Sequence, residues 1–476
     1  MPSCPSSVAP PLSVMSSASY DVIIIGAGLS GLSAALRLSH FGRRVAVFER
    51  HHFPGGLNSY YYRNGELVDV GLHALTNFVS AKERGAPLNT MLRQLRLRRA
   101  ELGLCPQNYS LIEFPSASLR LSNDFNEFSA ALSRLFPQEA AGFASLVELI
   151  RQSDCYGTMP PGRSARQQVA AHISSPLLRD MLFMPLMFYG NPCVADMDFK
   201  QFCIMFHSIF LEGMGRPKKG MKAIIDRIVK RIRDNGGELF LGNGIVKLRG
   251  QEGRLQEAQD ERGQWHRARN FISCIGASET AALCSEPPPE LEQSRHGEIG
   301  FFESIFYLDR PAAEFGLQAS TIFRSTRDEF HFAPPTGLVD FHSQVYCLPG
   351  NYIGCEDIPA AKQLRLTHLA NPKAWLELEE TEYRQAKAEV LHKQREILAQ
   401  SWPRLEQAIV AVETQTPQTI RRYSGRLSGC IYGSPDKLHQ GKTSCQNLIL
   451  SGSDQGLLGI VGTLISGISM VNQHLF

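Results

Sequence analysis

Thirty residues near the start of the chain, Tyr20 to Glu49, restrict the fold more than any other stretch. Tyr20-Asp-Val-Ile-Ile-Ile is a short β-branched apolar run, the kind that forms a strand buried on both faces. It runs directly into Gly26-Ala-Gly28-Leu29-Ser30-Gly31. Leu29, Leu32, Ala35 and Leu36 then share one helical face; the pattern lasts to His40, and Gly42 ends it. A second strand, Val45-Ala-Val-Phe, leads to Glu49. The three glycines of the motif differ in what they permit. Gly26 allows a tight turn, Gly28 lets backbone approach a pyrophosphate, and Gly31 lets helix and strand pack closely. The helix N-terminus offers free N–H groups and a positive dipole end to phosphates. Glu49, eighteen residues beyond Gly31, accepts hydrogen bonds from ribose hydroxyls and repels a 2′-phosphate. Strand, glycine turn, helix and distant acid together specify a βαβ unit that binds a dinucleotide. By itself this unit fits FAD or NAD.

The 476 residues are enough for two domains. A formal charge of +3 gives no argument for nucleic acid. The eleven cysteines are scattered, with no C-x-x-C pair, which argues against a zinc site and for free thiols in a reducing compartment. No metal-ligand spacing occurs elsewhere. Residues 1–19 are rich in Ser and Pro and carry no charged side chain, so they are expected to form a disordered leader; Met15 is an alternative start. Gln455 to Phe476 has no Asp, Glu, Lys or Arg and is long enough to cross a bilayer. Its four glycines and its polar end, Asn472-Gln473-His474, favour a buried helix after a glycine turn.

Three further segments carry a family resemblance. Pro54-Gly55-Gly56-Leu57 follows Glu49 closely, and Asp69-Val-Gly71-Leu-His73 comes soon after. Pro217-Lys-Lys-Gly220-Met221 opens a helix whose stripe is Met221, Ile224, Ile225, Ile228, Val229 and Ile232, stopped by Gly236-Gly237-Glu238. Strands to Leu241 and around Ile245 to Leu248 follow. Near the end, Asn447-Leu-Ile-Leu-Ser-Gly452-Ser-Asp454 leads through Gly456 to Gly459-Ile460-Val461-Gly462. With the first motif, this series resembles the flavin amine oxidase and phytoene desaturase superfamily. The resemblance implies FAD as cofactor. It also implies an α/β fold: a discontinuous Rossmann-like FAD-binding domain (20–80, 215–295 and 417–476) with an inserted α+β substrate domain (81–214 and 296–416).

It implies cofactor contacts as well. Gly26, Gly28, Leu29, Ser30 and Gly31, with Gly55 and Gly56, lie near the pyrophosphate. Glu49, Arg50 and Ile245 lie near the adenosine. Gly71 lies close to the flavin ring. Gly452 and Asp454 belong to the C-terminal turn, and Gly459, Ile460 and Val461 open a helix aimed at the flavin's pyrimidine edge, where a reduced flavin carries negative charge. Three departures stand out. Many members have Arg where this chain has Leu57, Lys219 replaces a glycine, and Gly452 to Gly459 is one residue short of the common spacing.

The rest of the chain points to a substrate class. Met181-Leu-Phe-Met-Pro-Leu-Met-Phe-Tyr189 and Phe202-Cys-Ile-Met-Phe-His207-Ser-Ile-Phe-Leu211 are dense in Met and Phe. Such side chains fill a core, line a tunnel for a long apolar ligand, or form an exposed patch that docks on a membrane. Lys218, Lys219, Lys222, Lys230, Arg231 and Arg233 lie nearby and face either water or anionic lipid. A long helix is expected from Lys373 to Gln400, broken or restarted at Pro403. Glu413-Thr-Gln-Thr416-Pro417-Gln-Thr419 resembles a stretch of bacterial phytoene desaturases and carotenoid isomerases. His73 is the candidate acid, base or polar gate, because the turn it follows lies near the flavin by resemblance. His207, in an apolar run, reads as a core histidine, and Asp69 as a turn residue.

The expectation is therefore an FAD-dependent oxidoreductase acting on a long isoprenoid or polyene by desaturation, saturation or isomerisation. Its partner is a hydrophobic small molecule, and it is cytoplasmic with peripheral membrane contact. An amine oxidase and a non-catalytic carrier of FAD and lipid are the alternatives. The oligomeric state stays open.

Overall fold

The computed structural model describes residues 19–157 and 159–476; the expected leader, apart from Ser19, lies outside them. Five parallel strands form the heart of the first sheet, in the spatial order Glu238–Leu241, Val45–Glu49, Tyr20–Ile25, Trp265–Ser273, Leu448–Leu450. An antiparallel pair, Ile245–Gln251 and Arg254–Asp260, extends from Trp265–Ser273. The apolar runs alternate between two buried faces. Val22, Ile24, Val45 and Val47 pack under the helices Leu29–Ser39, Gly220–Asp234 and Gly459–His474. Ile23, Ile25, Ala46 and Phe48 pack on the other side with Ile245, Leu255, Ala277 and Leu448. Burial on both faces is why these strands read as continuous apolar sequence rather than as an alternating pattern.

The second sheet has seven strands, in the order Ile409–Gln415, Gly300–Leu308, Gln363–Ala370, Val339–Cys347, Thr321–Ser325, Ser110–Phe114, Ala117–Leu121. Its pairings are antiparallel except Thr321–Ser325 with Ser110–Phe114. All its strands come from 81–214 and 296–416, and all strands of the first sheet from 20–80, 215–295 and 417–476. A small three-stranded sheet, Leu75–Thr76, Met214–Pro217 and Leu104–Pro106, joins the two regions.

The Met- and Phe-rich segments lie in Pro176–Gly190, Phe199–Phe206 and the π turn His207–Leu211, against one face of this second sheet. Met181, Met184, Met187, Phe202, Phe206 and Phe210 are all buried. An exposed membrane-docking patch made of these side chains is therefore ruled out. Four of the six nearby cations have acidic partners: Lys222 with Asp226, Lys230 with Asp234, Arg231 with Glu101 and Lys218 with Asp357. Among the described residues no helix is long and apolar enough to cross a membrane. The uncharged C-terminal run is instead the buried helix Gly459–His474.

The single helix expected from Lys373 to Gln400 is two helices, Pro372–Glu377 and Glu380–Ser401. Trp375 explains the break. It is fully buried, and its indole N–H donates to the Leu338 carbonyl at 3.0 Å. Gln418 donates to the Trp375 and Leu378 carbonyls at 2.7 and 3.0 Å, satisfying groups that a continuous helix would have bonded internally. Glu379 and Glu382 then form a capping box that starts the second helix. Pro403 begins a separate short helix, Pro403–Gln407.

His368 lies fully buried in the middle of the second sheet. Its Nδ1 faces the Asp340 and Ser343 carbonyls, each at 3.1 Å, so the neutral ring carries its proton on Nδ1. Burial drives its pKa down to about 4. In the unfolded chain the ring protonates near the ordinary value of about 6.5. Its contribution to stability is therefore present above pH 6.5 and is lost as pH falls towards 4. Glu212, raised to about 7 by burial, works in the opposite direction over part of that window. A difference between variants isolates the histidine. Urea unfolding of wild type and His368→Gln between pH 7 and pH 4.5 should give stability curves whose slopes differ by up to about 1.4 kcal/mol per pH unit. Parallel curves would show that the ring is not held neutral.

Candidate active site

The first glycine turn is shaped by close contact on one side and open space on the other. A Cβ on Gly31 would lie 2.0 Å from the Gly26 carbonyl oxygen, so only glycine lets this helix meet this strand. Gly26 has φ +95°, a left-handed conformation that favours glycine. A Cβ on Gly28 would meet nothing within 4 Å. Glu49 closes the unit: its Oε2 accepts from Ala27 N and its Oε1 from His51 N, both at 2.8 Å. Burial raises the Glu49 carboxyl, and the two N–H donors work against that. Arg50 donates to the Arg422 carbonyl at 3.2 Å. Ile245 is buried at the start of its strand, opposite Asp260, and the adjoining Gly244 packs on Arg50.

The second glycine pair lies alongside the first. Gly55 N donates to the Ala27 carbonyl at 2.8 Å, and Gly28 and Gly55 form a parallel bridge. A Cβ on Gly56 would come within 3.2 Å of the Gly28 Cα. The Leu57 carbonyl presses on Gly71, where a Cβ would stand 2.3 Å away. These contacts bring the turn at 69–73 beside the glycine cradle.

That turn is clamped from three directions. Asp69 accepts from Arg216 Nη2 at 2.7 Å and from Met221 N at 2.8 Å, so it also caps the helix Gly220–Asp234. Arg365 Nη2 donates to the Asp69 and Val70 carbonyls at 2.6 and 2.9 Å, and its Nη1 to the Leu72 carbonyl at 3.3 Å. Tyr352 OH donates to the His73 carbonyl at 3.1 Å. Asp69 is thus a turn and capping residue. His207 is half-buried, with its Nε2 3.2 Å from the Ile150 carbonyl; burial lowers its pKa.

The C-terminal elements complete the same region. The helix Gly459–His474 packs on Leu29–Ser39 so closely that a Cβ on Gly467 would lie 2.1 Å from the Ser30 carbonyl oxygen. Ser33 Oγ donates to the Leu464 carbonyl at 2.8 Å, and Ser30 Oγ lies 2.8 Å from Ser451 Oγ. Gly452 faces Ser30 and Gly459 faces Thr76. Ile460 and Val461 bury their side chains in the core, which leaves their amides at the helix N-terminus. Neither Gly28 nor Leu458, which precede the two helices, makes a side-chain cap bond. Asp124, Ser164, Ser175, Asp198, Asn371 and Thr416 do cap theirs. Two uncapped helix N-termini, with space over Gly28, fit a dinucleotide's anionic pyrophosphate and the electron-rich edge of a flavin.

The Asp454 side chain is taken up inside the protein. Its oxygens accept from Ala277 N at 2.8 Å and Ser434 N at 3.0 Å, with Arg426 Nη1 at 3.5 Å and Lys437 Nζ at 3.9 Å. Burial would raise its carboxyl, but Arg426 and Lys437 hold it below the usual range. What Asp454 can offer a ligand is its backbone. Arg426 and Lys437 were not foreseen from the sequence.

His73 meets a second unforeseen group. Its Nε2 is hydrogen-bonded to Glu303 Oε2, and Thr367 Oγ1 donates to the same oxygen at 2.8 Å. Arg365 Nε stands 3.2 Å from Glu303 Oε1 without hydrogen-bond alignment, so that attraction is Coulombic. Burial would raise the Glu303 carboxyl; Arg365 and His73 overcome it and bring it down to about 2. A glutamate inside the apolar strand Gly300–Leu308 and an arginine inside Gln363–Ala370 were the available signals.

Known proteins resemble this chain in sequence and fold. The family model for flavin containing amine oxidoreductases matches residues 29–305, more than half of the chain. A chloroplastic prolycopene isomerase of Daucus carota is 34% identical over 125 residues, covering 26% of this chain and 20% of that protein. The lycopene-forming phytoene desaturase of Pantoea ananas is 23% identical over 302 residues, covering 57% of this chain and 59% of that protein. The chain therefore spans about a fifth of the plant isomerase and under two thirds of the bacterial desaturase. An oxidoreductase from Methanosarcina mazei has the same fold, with a TM-score of 0.65 at 18% identity, covering 95% of this chain and 99% of that one. The chain belongs to the flavin containing amine oxidoreductase family and has an α/β fold.

Proposed function

We propose that this oxidoreductase acts on a long hydrophobic isoprenoid or polyene and changes its carbon–carbon double bonds by desaturation, saturation or isomerisation. One observation carries the reading. A single apolar cluster runs from the buried Met and Phe helices to the cofactor-side loops, reaching Ala74 beside His73, Leu457 before the C-terminal helix, and Tyr432. Phe188 stacks on Phe301 with ring centroids 5.5 Å apart, and Phe330 and Phe332 lie at 6.0 Å. An apolar wall with few polar groups suits a hydrocarbon chain. The names of the desaturase and isomerase relatives support the same substrate class.

Bound FAD supplies hydride transfer. The chain's residues bind and orient. Gly26, Gly28, Leu29, Ser30 and Gly31, with Gly55, Gly56 and Gly452, would surround its pyrophosphate. Glu49, Arg50 and Ile245 would hold its adenosine. Leu57 offers no cation there, so helix N-termini carry the charge compensation. Gly71, Gly459, Ile460 and Val461 would present backbone to a flavin ring, with Asp454 fixing the turn before them. A substrate that dissolves in lipid brings this cytoplasmic protein to a membrane surface.

The test is an absorbance spectrum of the purified protein, then mass spectrometry of what denaturation and organic extraction release. Flavin bands with a co-extracted isoprenoid are expected. Flavin without lipid, with peroxide released on adding polyamines or aromatic amines, would overturn the substrate class. Failure to bind FAD on reconstitution would overturn the whole reading.

A further inference from the structure

We infer that His73 is the proton acceptor of the reaction and that Glu303, held by Arg365 and Thr367, is its positioning residue. The inference rests on the double-bond reading above for its substrate, though not for its geometry. Every polar group packed around the imidazole works towards one arrangement. Glu303 Oε2 takes Nε2 from the strand Gly300–Leu308. From the next strand, Thr367 donates to that same oxygen and Arg365 faces the other one. The histidine's own backbone is fixed by Tyr352 at its carbonyl, by Arg216 and Arg365 at the Leu72 carbonyl, and by Arg216 on Asp69.

Two consequences follow for the ring. A carboxylate on Nε2 places the proton of the neutral ring there and leaves the lone pair on Nδ1. Among the described residues no hydrogen bond reaches Nδ1. The side chain stays 25% exposed although Glu303 is 7% exposed, so the ring is open while its support is sealed. Glu303 stays ionised across the working pH range, held down by Arg365 and His73 against its burial. It therefore stabilises the imidazolium that forms without taking the proton itself.

The step balances. Two adjacent substrate carbons lose one hydrogen with its electron pair, as hydride, to the flavin, and the other as a proton to Nδ1. A carbon–carbon double bond forms, and the imidazolium later releases its proton to solvent.

The experiment is rapid-mixing reduction of the flavin in the holoenzyme by a dispersed acyclic C40 polyene, and separately by putrescine, from pH 5 to pH 9. It uses wild type, His73→Asn, His73→Ala with added imidazole, and Glu303→Gln. Because Glu303→Gln leaves Arg365 uncompensated in the interior, His73→Asn provides the variant that keeps that ion pair. The expected result with polyene is a rate that falls at low pH and drops about 100-fold in His73→Asn. Imidazole should restore part of the His73→Ala rate. Glu303→Gln should lower the rate as well, since the carboxylate that orients the ring is gone. Nitrogen NMR of labelled histidine, read without turnover, should show the Nε2–H tautomer for His73 in wild type and a mixture in Glu303→Gln. Wild-type rates and limbs in all variants with polyene would overturn the proposal and leave the substrate class standing. The same dependences with putrescine alone would overturn the substrate class and leave the proton role standing. A flavin that neither compound reduces would overturn the proton role and, with it, desaturation as the direction of the reaction.

Discussion

Gly31→Ala should yield a protein without flavin and with a markedly lower unfolding temperature. The added methyl would lie 2.0 Å from a backbone oxygen of Gly26 and 3.2 Å from Ile24 Cγ2. No flexible side-chain end is there to yield, so either the turn or the helix entry must move. Overpacking of this kind costs roughly 1–3 kcal/mol and at times more. Loss of the bound cofactor removes a further stabilisation set by ligand concentration over Kd. Gly28→Val is the informative partner. Gly28 has φ −64° and ψ 172°, which any residue adopts, and its Cβ direction is empty. That variant should fold normally yet bind FAD at least tenfold more weakly, or about 1.4 kcal/mol. Thermal unfolding with and without added FAD, alongside flavin absorbance, separates the two effects. Wild-type flavin content in Gly28→Val would show that the space over Gly28 is not used by the pyrophosphate.

The second large effect is expected at the clamp beneath the 69–73 turn. Arg216 and Asp69 are 3% and 7% exposed in their side chains and meet at 2.7 Å. Removing one partner of such a buried pair leaves an uncompensated charge and costs about 3–5 kcal/mol. Arg216→Met should therefore lower the urea midpoint strongly, and Asp69→Asn likewise. The double variant should lose less than the two single losses combined, because neither charge is left alone. Additive losses would mean that the two side chains act independently.

Much of the cofactor region was legible because its determinants are local. The strand-turn-helix-strand from Tyr20 to Glu49, the stripe from Met221 to Ile232 and the uncharged C-terminal helix are each set by neighbours in sequence, and each stands where the pattern places it. What was not legible depends on partners far along the chain. Glu303 meets His73 across 230 residues and Arg365 reaches the Asp69 carbonyl across 296. No periodicity encodes such a meeting; the one local trace is a charge inside an apolar strand. The break before Glu380 is of the same kind. Helical propensity runs through Leu378, but Trp375 is drawn into the core and Gln418 bonds the freed carbonyls. The Met and Phe segments were ambiguous for a different reason. A core and an apolar ligand wall ask for the same side chains, and only the fold separates buried packing from an exposed patch.

The strand Leu448–Leu450 is among the shortest of the first sheet, yet it covers one edge of Trp265–Ser273 and leads into the helix against Leu29–Ser39. On the ribosome these partners are born far apart in time. At roughly 5–20 residues per second, the glycine turn at Gly26 waits about twenty seconds to a minute and a half for the segment that seals it. During that interval an unpaired strand edge and the small-residue face of the first helix stand open to other chains. A dinucleotide that binds the βαβ unit early would shelter that exposed edge before the later strand arrives.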